Sequence, residues 1–260
     1  MRRLILVLAT IGVAVLLASG AALGITNGNP DNGGHPNVGA LVEFPRKGDP
    51  YPYCSGTLIA PKVFLTAAHC GDNGEAVKVT FKEKDFTRTM PTIGGTFRAD
   101  TNIDIAVVKL DTAPSGITPA RLPSLNRLEL SDVGKGEKYD KFTAVGYGGQ
   151  APVKQPGGPV IVYNDDREWA ISVYKSVNRT YLSLSQNLNQ GNGGTCYGDS
   201  GGPNFFGAYN TGTQTDVIAG ITITGDTWCK STNVTLRLDT QPVKTFLQNQ
   251  GVTLPSAVTP

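Results

Sequence analysis

Histidine is scarce in these 260 residues: there are two, His35 and His69. The four cysteines include no CxxC pair, so the sequence offers neither a zinc cluster nor a redox dithiol, and no metal or cofactor is expected. No segment of 20–50 residues recurs, which excludes solenoids and propellers. Long amphipathic runs are missing, and there are only two Met and two Trp, a poor composition for a helix bundle. Charge is low at 17%, too little for a disordered chain, while 39% hydrophobic residues suffice for a core. At roughly 150 residues per domain, the length allows one large domain or two small ones. What is abundant is glycine, 32 residues, and proline, 17, so turns are frequent.

The first 24 residues stand apart from the rest. Met1-Arg2-Arg3 is a basic start, Leu4 to Leu17 is almost wholly apolar, and small residues run from Ala18 to Gly24. This three-part pattern predicts a secretory signal peptide over residues 1–24, with an uncleaved anchor as the alternative. The apolar stretch is shorter than the roughly 20 residues of a membrane span. Ala22-Leu23-Gly24 suits a cut that frees Ile25, and Gly20-Ala21-Ala22 a cut that leaves Leu23-Gly24 attached. The expected protein is therefore secreted and extracellular, with no membrane association after cleavage. Removing Arg2 and Arg3 leaves 21 Lys and Arg against 21 Asp and Glu. A neutral chain without a Lys/Arg run lacks the basic footprint of a nucleic-acid binder.

An even number of cysteines in an exported chain suggests two disulfides, with three possible pairings of Cys54, Cys70, Cys196 and Cys229. The simplest pairing is local, Cys54 with Cys70 and Cys196 with Cys229. Short β-rich runs punctuated by turn residues predict strands at Val38–Phe44, Gly56–Ile59, Val63–Thr66, Val77–Phe81 and Ile105–Leu110. Further runs lie at Phe142–Val145, Val160–Tyr163, Ile171–Tyr174, Val217–Ile218, Ile221–Ile223 and Val234–Leu238. Many short strands point to an all-β sandwich or barrel. Thr112–Pro123 reads as a link between two β halves, and Gly148–Pro159 as an exposed loop. Val243, Phe246 and Leu247 share one helical face; Asp239 or Thr240 would cap the helix, with Pro242 in its first turn and Gly251 as its stop. The segment after it, 252–260, is expected to fray. Asn178-Arg-Thr180 and Asn233-Val-Thr235 match the glycosylation pattern.

Three motifs carry chemistry. His69 sits in Thr66-Ala-Ala-His-Cys70, between small residues and a cysteine. Gly198-Asp-Ser-Gly-Gly-Pro203 sets a serine among glycines, whose backbone can turn its N–H groups onto one spot and hold an anion. A serine there can attack a carbonyl while the nest stabilises the oxyanion. Asp104 precedes the apolar run Ile105–Leu110, where an acid can accept the Nδ1–H of a histidine and fix its tautomer.

The order His69, Asp104, Ser200, with these three motifs, resembles the chymotrypsin/trypsin family of serine endopeptidases across roughly residues 25–250. Ile25-Thr-Asn-Gly28 is similar to the family's mature start, Ala144–Gly148 to its Thr-Gly-Trp-Gly strand end, and Gly220 to Cys229 to one wall of its primary specificity pocket. The resemblance implies two antiparallel β-barrels, about 25–120 and about 135–238, with a C-terminal helix at about 240–250. It implies Ser200 as nucleophile, His69 as general base and then acid, and Asp104 as its orienter. The N–H groups of Gly198 and Ser200 would form the oxyanion hole, and Asp199 would receive the α-amino group of Ile25. Gly194, Thr195, Gly225 and Asn233 would shape the substrate pocket, with Gly194 as an uncharged floor and Asp226 at the entrance. The local disulfides map onto the family's own. The implied protein is a monomer acting on protein or peptide substrates.

The chain also departs from the family. The serine that supports the catalytic aspartate is Ile223 here, or shifted to Thr222 or Thr224, and the tryptophan that follows is absent. Two disulfides common in animal members have no cysteines, which fits a bacterial or otherwise divergent member. Two other readings compete with an active endopeptidase: a catalytically silent relative that binds proteins through the same cleft, and an extracellular β-rich adhesion or carbohydrate-binding module.

Overall fold

A computed structural model describes residues 25–129 and 140–254. The expected signal peptide, 1–24, and most of the tail lie outside the described residues. In chain order the strands of the first half are β1 (Asn29–Pro30), β2 (Val38–Glu43), β3 (Tyr51–Ala60), β4 (Val63–Thr66), β5 (Ala76–Thr80), β6 (Ile93–Asp100) and β7 (Ile105–Leu110). Those of the second are β8 (Lys141–Gly146), β9 (Val153–Gln155), β10 (Gly158–Val160), β11 (Glu168–Val177), β12 (Tyr181–Ser185), β13 (Pro203–Phe206), β14 (Ile218–Gly225) and β15 (Thr232–Arg237). Helix α1 (Gln241–Asn249) follows.

All of these strands except β9 and β10 belong to the two antiparallel barrels. The first closes in the order β2-β3-β4-β7-β6-β5, with β5 returning to β2. The second runs β8-β11-β12-β15-β14-β13 and closes from β13 onto β8, with β1 added outside β11. Strand β7 shows how the sequence builds both surfaces. Ala106, Val108 and Leu110 point into the first barrel with Leu58, Phe64, Val79 and Phe97, while Ile105 and Val107 face outward into the layer between the barrels. That layer also holds Val38, Leu65, Val145, Phe205, Ile221, Val243 and Leu247, so the helix packs by the face its spacing predicted. Phe142, Leu182, Leu184 and Phe206 fill the second barrel.

The barrels are also locked by a buried cation. Arg167 donates from Nε to Asp31 at 2.7 Å and from Nη1 to the carbonyls of Val38 (3.1 Å) and Phe81 (3.2 Å) and to the Tyr147 hydroxyl (3.2 Å). It thereby fixes the end of β8 against the first barrel. The other histidine, His35, belongs to this cluster: it is buried against Asp31 and Gln214.

Several expectations need correction. Val160–Tyr163 is not a barrel strand: only Gly158–Val160 is extended, in an exposed two-stranded hairpin with Val153–Gln155. β-branched residues there had no barrel neighbour to pair with. Val217–Ile218 and Ile221–Ile223 belong largely to one strand, β14, whose register slips between Thr222 and Thr224. Asp239 does not cap the helix; it accepts bonds from Arg237 and from the Leu128 amide. Thr240 holds the N-cap position without a side-chain bond, and Gly251, at φ +73°, follows the helix end. Val252, expected to fray, is buried against the core. Among the described residues no helix is long and apolar enough to cross a membrane.

Candidate active site

Both cysteine pairs are joined locally, Cys54–Cys70 and Cys196–Cys229. Closing loops of 16 and 33 residues is worth about 3 to 4 kcal/mol each in the chain-entropy picture. The first pair clamps the short 3-10 turn Ala68–Cys70, which carries His69, against β3. The second clamps the loop before Ser200 against the loop after β14.

His69 faces Asp104. Its Nδ1 lies 2.9 Å from Oδ2 and 3.1 Å from Oδ1 of the carboxylate, and its backbone N–H donates to Oδ1 at 3.0 Å. Asp104 occupies the left-handed region at φ +53°, a turn that swings its side chain back to the histidine just before β7 begins. The pair is not deeply buried: the side chains are 43% and 31% exposed. Neither Thr222 nor Thr224 supplies the missing hydroxyl. Thr222 instead accepts from Asn204 Nδ2 at 3.1 Å, and Ile223 sits at the register slip of β14 and lines the cleft.

Ser200 shares with His69 a cleft of about 970 Å³ between the barrels. Its turn is held by backbone bonds: Asp199 N–H to Cys196 (3.1 Å), Gly202 N–H to Asp199 (2.9 Å) and Gly201 N–H to Thr222 (2.7 Å). Gly198 has φ +98° and Gly201 φ +79°, conformations that favour glycine. A Cβ on Gly201 would lie 2.5 Å from the Ser55 carbonyl oxygen, so the close approach of the first barrel also demands glycine.

Asp199 is wholly buried and accepts from the amides of Gly148 and Cys196, each at 2.8 Å. Burial, reinforced by the charge of Glu168, pushes its carboxyl up to about 7 despite those two bonds. The structure does not bring Ile25 to it. The Ile25 nitrogen, itself buried, donates to Glu168 Oε2 at 3.1 Å. The reason is register: Glu168 opens β11 directly opposite Pro30 on one side and Gly146 on the other, between the N-terminal segment and the Asp199 turn. Thr26 is nonetheless bridged to Gly194, which fastens that segment to the loop leading to Ser200.

The pocket residues divide. Thr195 and Gly225 line the cleft, whereas Gly194 and Asn233 are not among its lining residues. Gly194 is covered by the buried Gln186, whose Nε2 donates to the Thr195 carbonyl. Asn233 is fully buried, opposite Gly225, and donates to Asn204 Oδ1 at 2.9 Å, which leaves no room for a glycan in the folded protein. Asp226 does line the cleft, but its carboxylate receives the amides of Lys230, Ser231 and Thr232. Although burial opposes its charge, those N–H groups hold it below the usual carboxylate range. The lining also holds residues missed in the sequence: four aromatics, Tyr51, Tyr53, Tyr163 and Tyr197, and a second carboxylate, Asp165.

Two barrels with a histidine–aspartate pair and a glycine-nested serine lining the same cleft define a double-barrel protein of the serine-protease type. The trypsin family profile matches residues 25–246, and the chain belongs to that family. It is 31% identical over 196 residues to a chymotrypsin of Phaedon cochleariae, a match covering 69% of this chain and 65% of that protein. It is 30% identical over 177 residues to brachyurin of Leptuca pugilator, covering 58% and 70%. It is also 30% identical over 168 residues to the thrombin-like enzyme saxthrombin of Gloydius intermedius, covering 58% and 62%. Among solved structures, an HL collagenase superposes with a TM-score of 0.65 at 17% identity, over 88% of this chain and all of that one; it supports the fold.

Proposed function

We propose that this chain is a secreted serine endopeptidase that hydrolyses protein or peptide substrates through an acyl-enzyme on Ser200. The observation that carries the reading is the His69–Asp104 pairing in the same cleft as Ser200. Asp104 holds Nδ1 protonated, so Nε2 is the basic nitrogen. Ser200 Oγ attacks the scissile carbonyl carbon as its proton passes to Nε2. The carbonyl oxygen takes the negative charge and is met by the N–H groups of Gly198 and Ser200. Collapse breaks the C–N bond, and His69 returns the proton to the departing amine. Water, activated by the same nitrogen, then releases the acid and regenerates Ser200.

The substrate side chain lies along Thr195, Thr222, Ile223, Thr224 and Gly225. None of these five residues is charged; Asp226 and Asp165 also line the cleft, and the Asp226 carboxylate, though ionised, has its oxygens turned to the amides of Lys230, Ser231 and Thr232. Digestion of a peptide library should show cleavage after Ala, Val, Leu or Phe and little after Arg or Lys. Internal cleavage of this kind supports an endopeptidase; dominant cutting after Arg or Lys would overturn the pocket assignment. A silent relative is the second reading, favoured by Ile223 and the exposure of Asp104, and it predicts no cleavage at all.

Processing before Ile25 would turn its N–H into an ammonium beside Glu168, the carboxylate whose charge also acts on Asp199. Without that cation, the raised pKa of Asp199 has a definite sign. The folded state holds the proton more tightly than an unfolded carboxyl at 3.8, so stability falls as pH rises from about 4 to about 7. A protein retaining Leu23-Gly24 should therefore lose thermal stability over that interval, while one beginning at Ile25 should lose less and be more active. Superimposable melting curves and equal activity would remove the role of the freed terminus.

A further inference from the structure

Two carbonyls flanking Asp199, those of Gly198 and Ser200, are held from the other barrel, and by one residue. Ser55 lies in β3 directly after Cys54 and is fully buried. Its N–H donates to the Ser200 carbonyl at 2.9 Å. Its Oγ donates to the Gly198 carbonyl at 3.0 Å and accepts from the Tyr147 N–H at 3.0 Å. Its own carbonyl accepts from Thr66 Oγ1 at 2.8 Å, so the residue is fixed in turn by the strand leading to His69.

The hydroxyl has a single proton, and the amide of Tyr147 occupies a lone pair, so the proton is directed at Gly198. Tyr147 is itself buried at the end of β8, where its hydroxyl is held by Arg167 and the Lys82 carbonyl. The remaining backbone bonds of the nucleophile turn stay within the second barrel, from Cys196, Asp199 and Thr222. Gly198 offers little resistance of its own, since glycine resists neither sign of φ. Fixing its carbonyl fixes the plane of the peptide joining it to Asp199, and with it the setting of the residue whose N–H faces the oxyanion.

We propose that Ser55 is a positioning residue for the oxyanion hole: its hydroxyl orients Gly198 from the first barrel. The inference rests on the endopeptidase reading and adds to it a residue outside the three catalytic motifs. Ser55 does not touch substrate. It acts on a bond that matters only when the carbonyl oxygen becomes an anion, so its loss should appear in kcat and not in KM.

The test compares wild type, Ser55→Ala and Ser55→Thr, each standardised by fluorophosphonate active-site titration. Peptide hydrolysis and the affinity for a peptide boronic acid, which forms a tetrahedral adduct on the serine, are then measured. Deleting one oxyanion donor costs about 10²–10³ in kcat; since Gly198 is displaced and not removed, Ser55→Ala should lose about 10- to 100-fold. KM should stay within about threefold, and boronate affinity should fall by the same factor as kcat/KM. Ser55→Thr, which keeps the hydroxyl, should retain kcat within about threefold by the same reasoning. The proposal is overturned if Ser55→Ala keeps wild-type kcat, or if its loss lies in KM with boronate affinity unchanged. If Ser55→Ala does not fold, Ser55→Thr decides: near-normal kcat supports the hydroxyl, and a folded protein with a 100-fold loss overturns it. An inactive, unlabelled wild type would instead sink the endopeptidase reading itself.

Discussion

Ser200→Ala and His69→Ala should each lower kcat by about 10⁶-fold, and the double mutant should be little worse than either. The expectation follows from the proposed role of the two side chains as a single working unit. Ser200 without a base is an ordinary hydroxyl, and His69 without Ser200 has no oxygen to activate. Removing either therefore removes the same step. What survives should be the residual rate from binding and from the Gly198 nest, which neither substitution touches. Each variant should fold, because Ser200 and His69 are partly exposed and the nest is held by backbone bonds and by Ser55. Steady-state kinetics on one peptide substrate would check it. Additive losses in the double mutant would mean that the two side chains act separately.

Asp104→Asn should cost about 10⁴-fold in kcat, as the same change does in the family's template enzyme. The local geometry gives the reason for expecting a comparable loss here. Oδ1 of Asp104 accepts the His69 backbone N–H at 3.0 Å, which will select the oxygen of the new amide for that place. The NH2 group then falls where Oδ2 stood, 2.9 Å from Nδ1. It can only donate, so Nδ1 must accept and the proton moves to Nε2, the tautomer that cannot take the serine proton. The missing hydroxyl at Ile223 and the 31% exposure of Asp104 work the other way, by giving the amide room to turn over. A loss below tenfold would show that the turned-over form dominates and that Asp104 does not set the tautomer in this protein.

The sequence displayed the chemistry more clearly than the support beneath it. Thr66–Cys70, Asp104 and Gly198–Pro203 are contiguous motifs whose residue types announce their use, and the local disulfides follow from separation along the chain. The helix was legible because Val243, Phe246 and Leu247 repeat at the helical period. Strand Tyr181–Ser185, absent from the expected strands, carries the alternation of buried Leu182 and Leu184 with more exposed neighbours. Strand Ile93–Asp100 was hidden by Gly94 and Gly95. Those glycines are there because a Cβ would meet Asp111 at 2.6 Å and Val108 at 2.5 Å, a crowding visible only once the strands are paired.

Ser55 and Glu168 were not legible. Each makes its decisive bond to a residue 143 positions away, Ser55 to Gly198 and Ile25 to Glu168. A serine after a cysteine or a glutamate opening a strand has no local pattern that reveals such a partner. Two of the four pocket residues, Gly194 and Asn233, fall outside the cleft lining for a related reason. The family resemblance places Gly194 along the chain but says nothing of Gln186, which folds over it from another segment. Asn233 reads as a wall residue until Asn204, two strands away in the same sheet, draws its side chain inward.

The central claim is that Ser200 is a nucleophile activated by His69. The direct measurement is to expose the folded protein to a fluorophosphonate probe and map the adduct by peptide mass spectrometry. The account predicts one adduct, on Ser200, lost in Ser200→Ala and greatly slowed in His69→Ala. A folded protein that takes no label, or takes it at another residue, would contradict it.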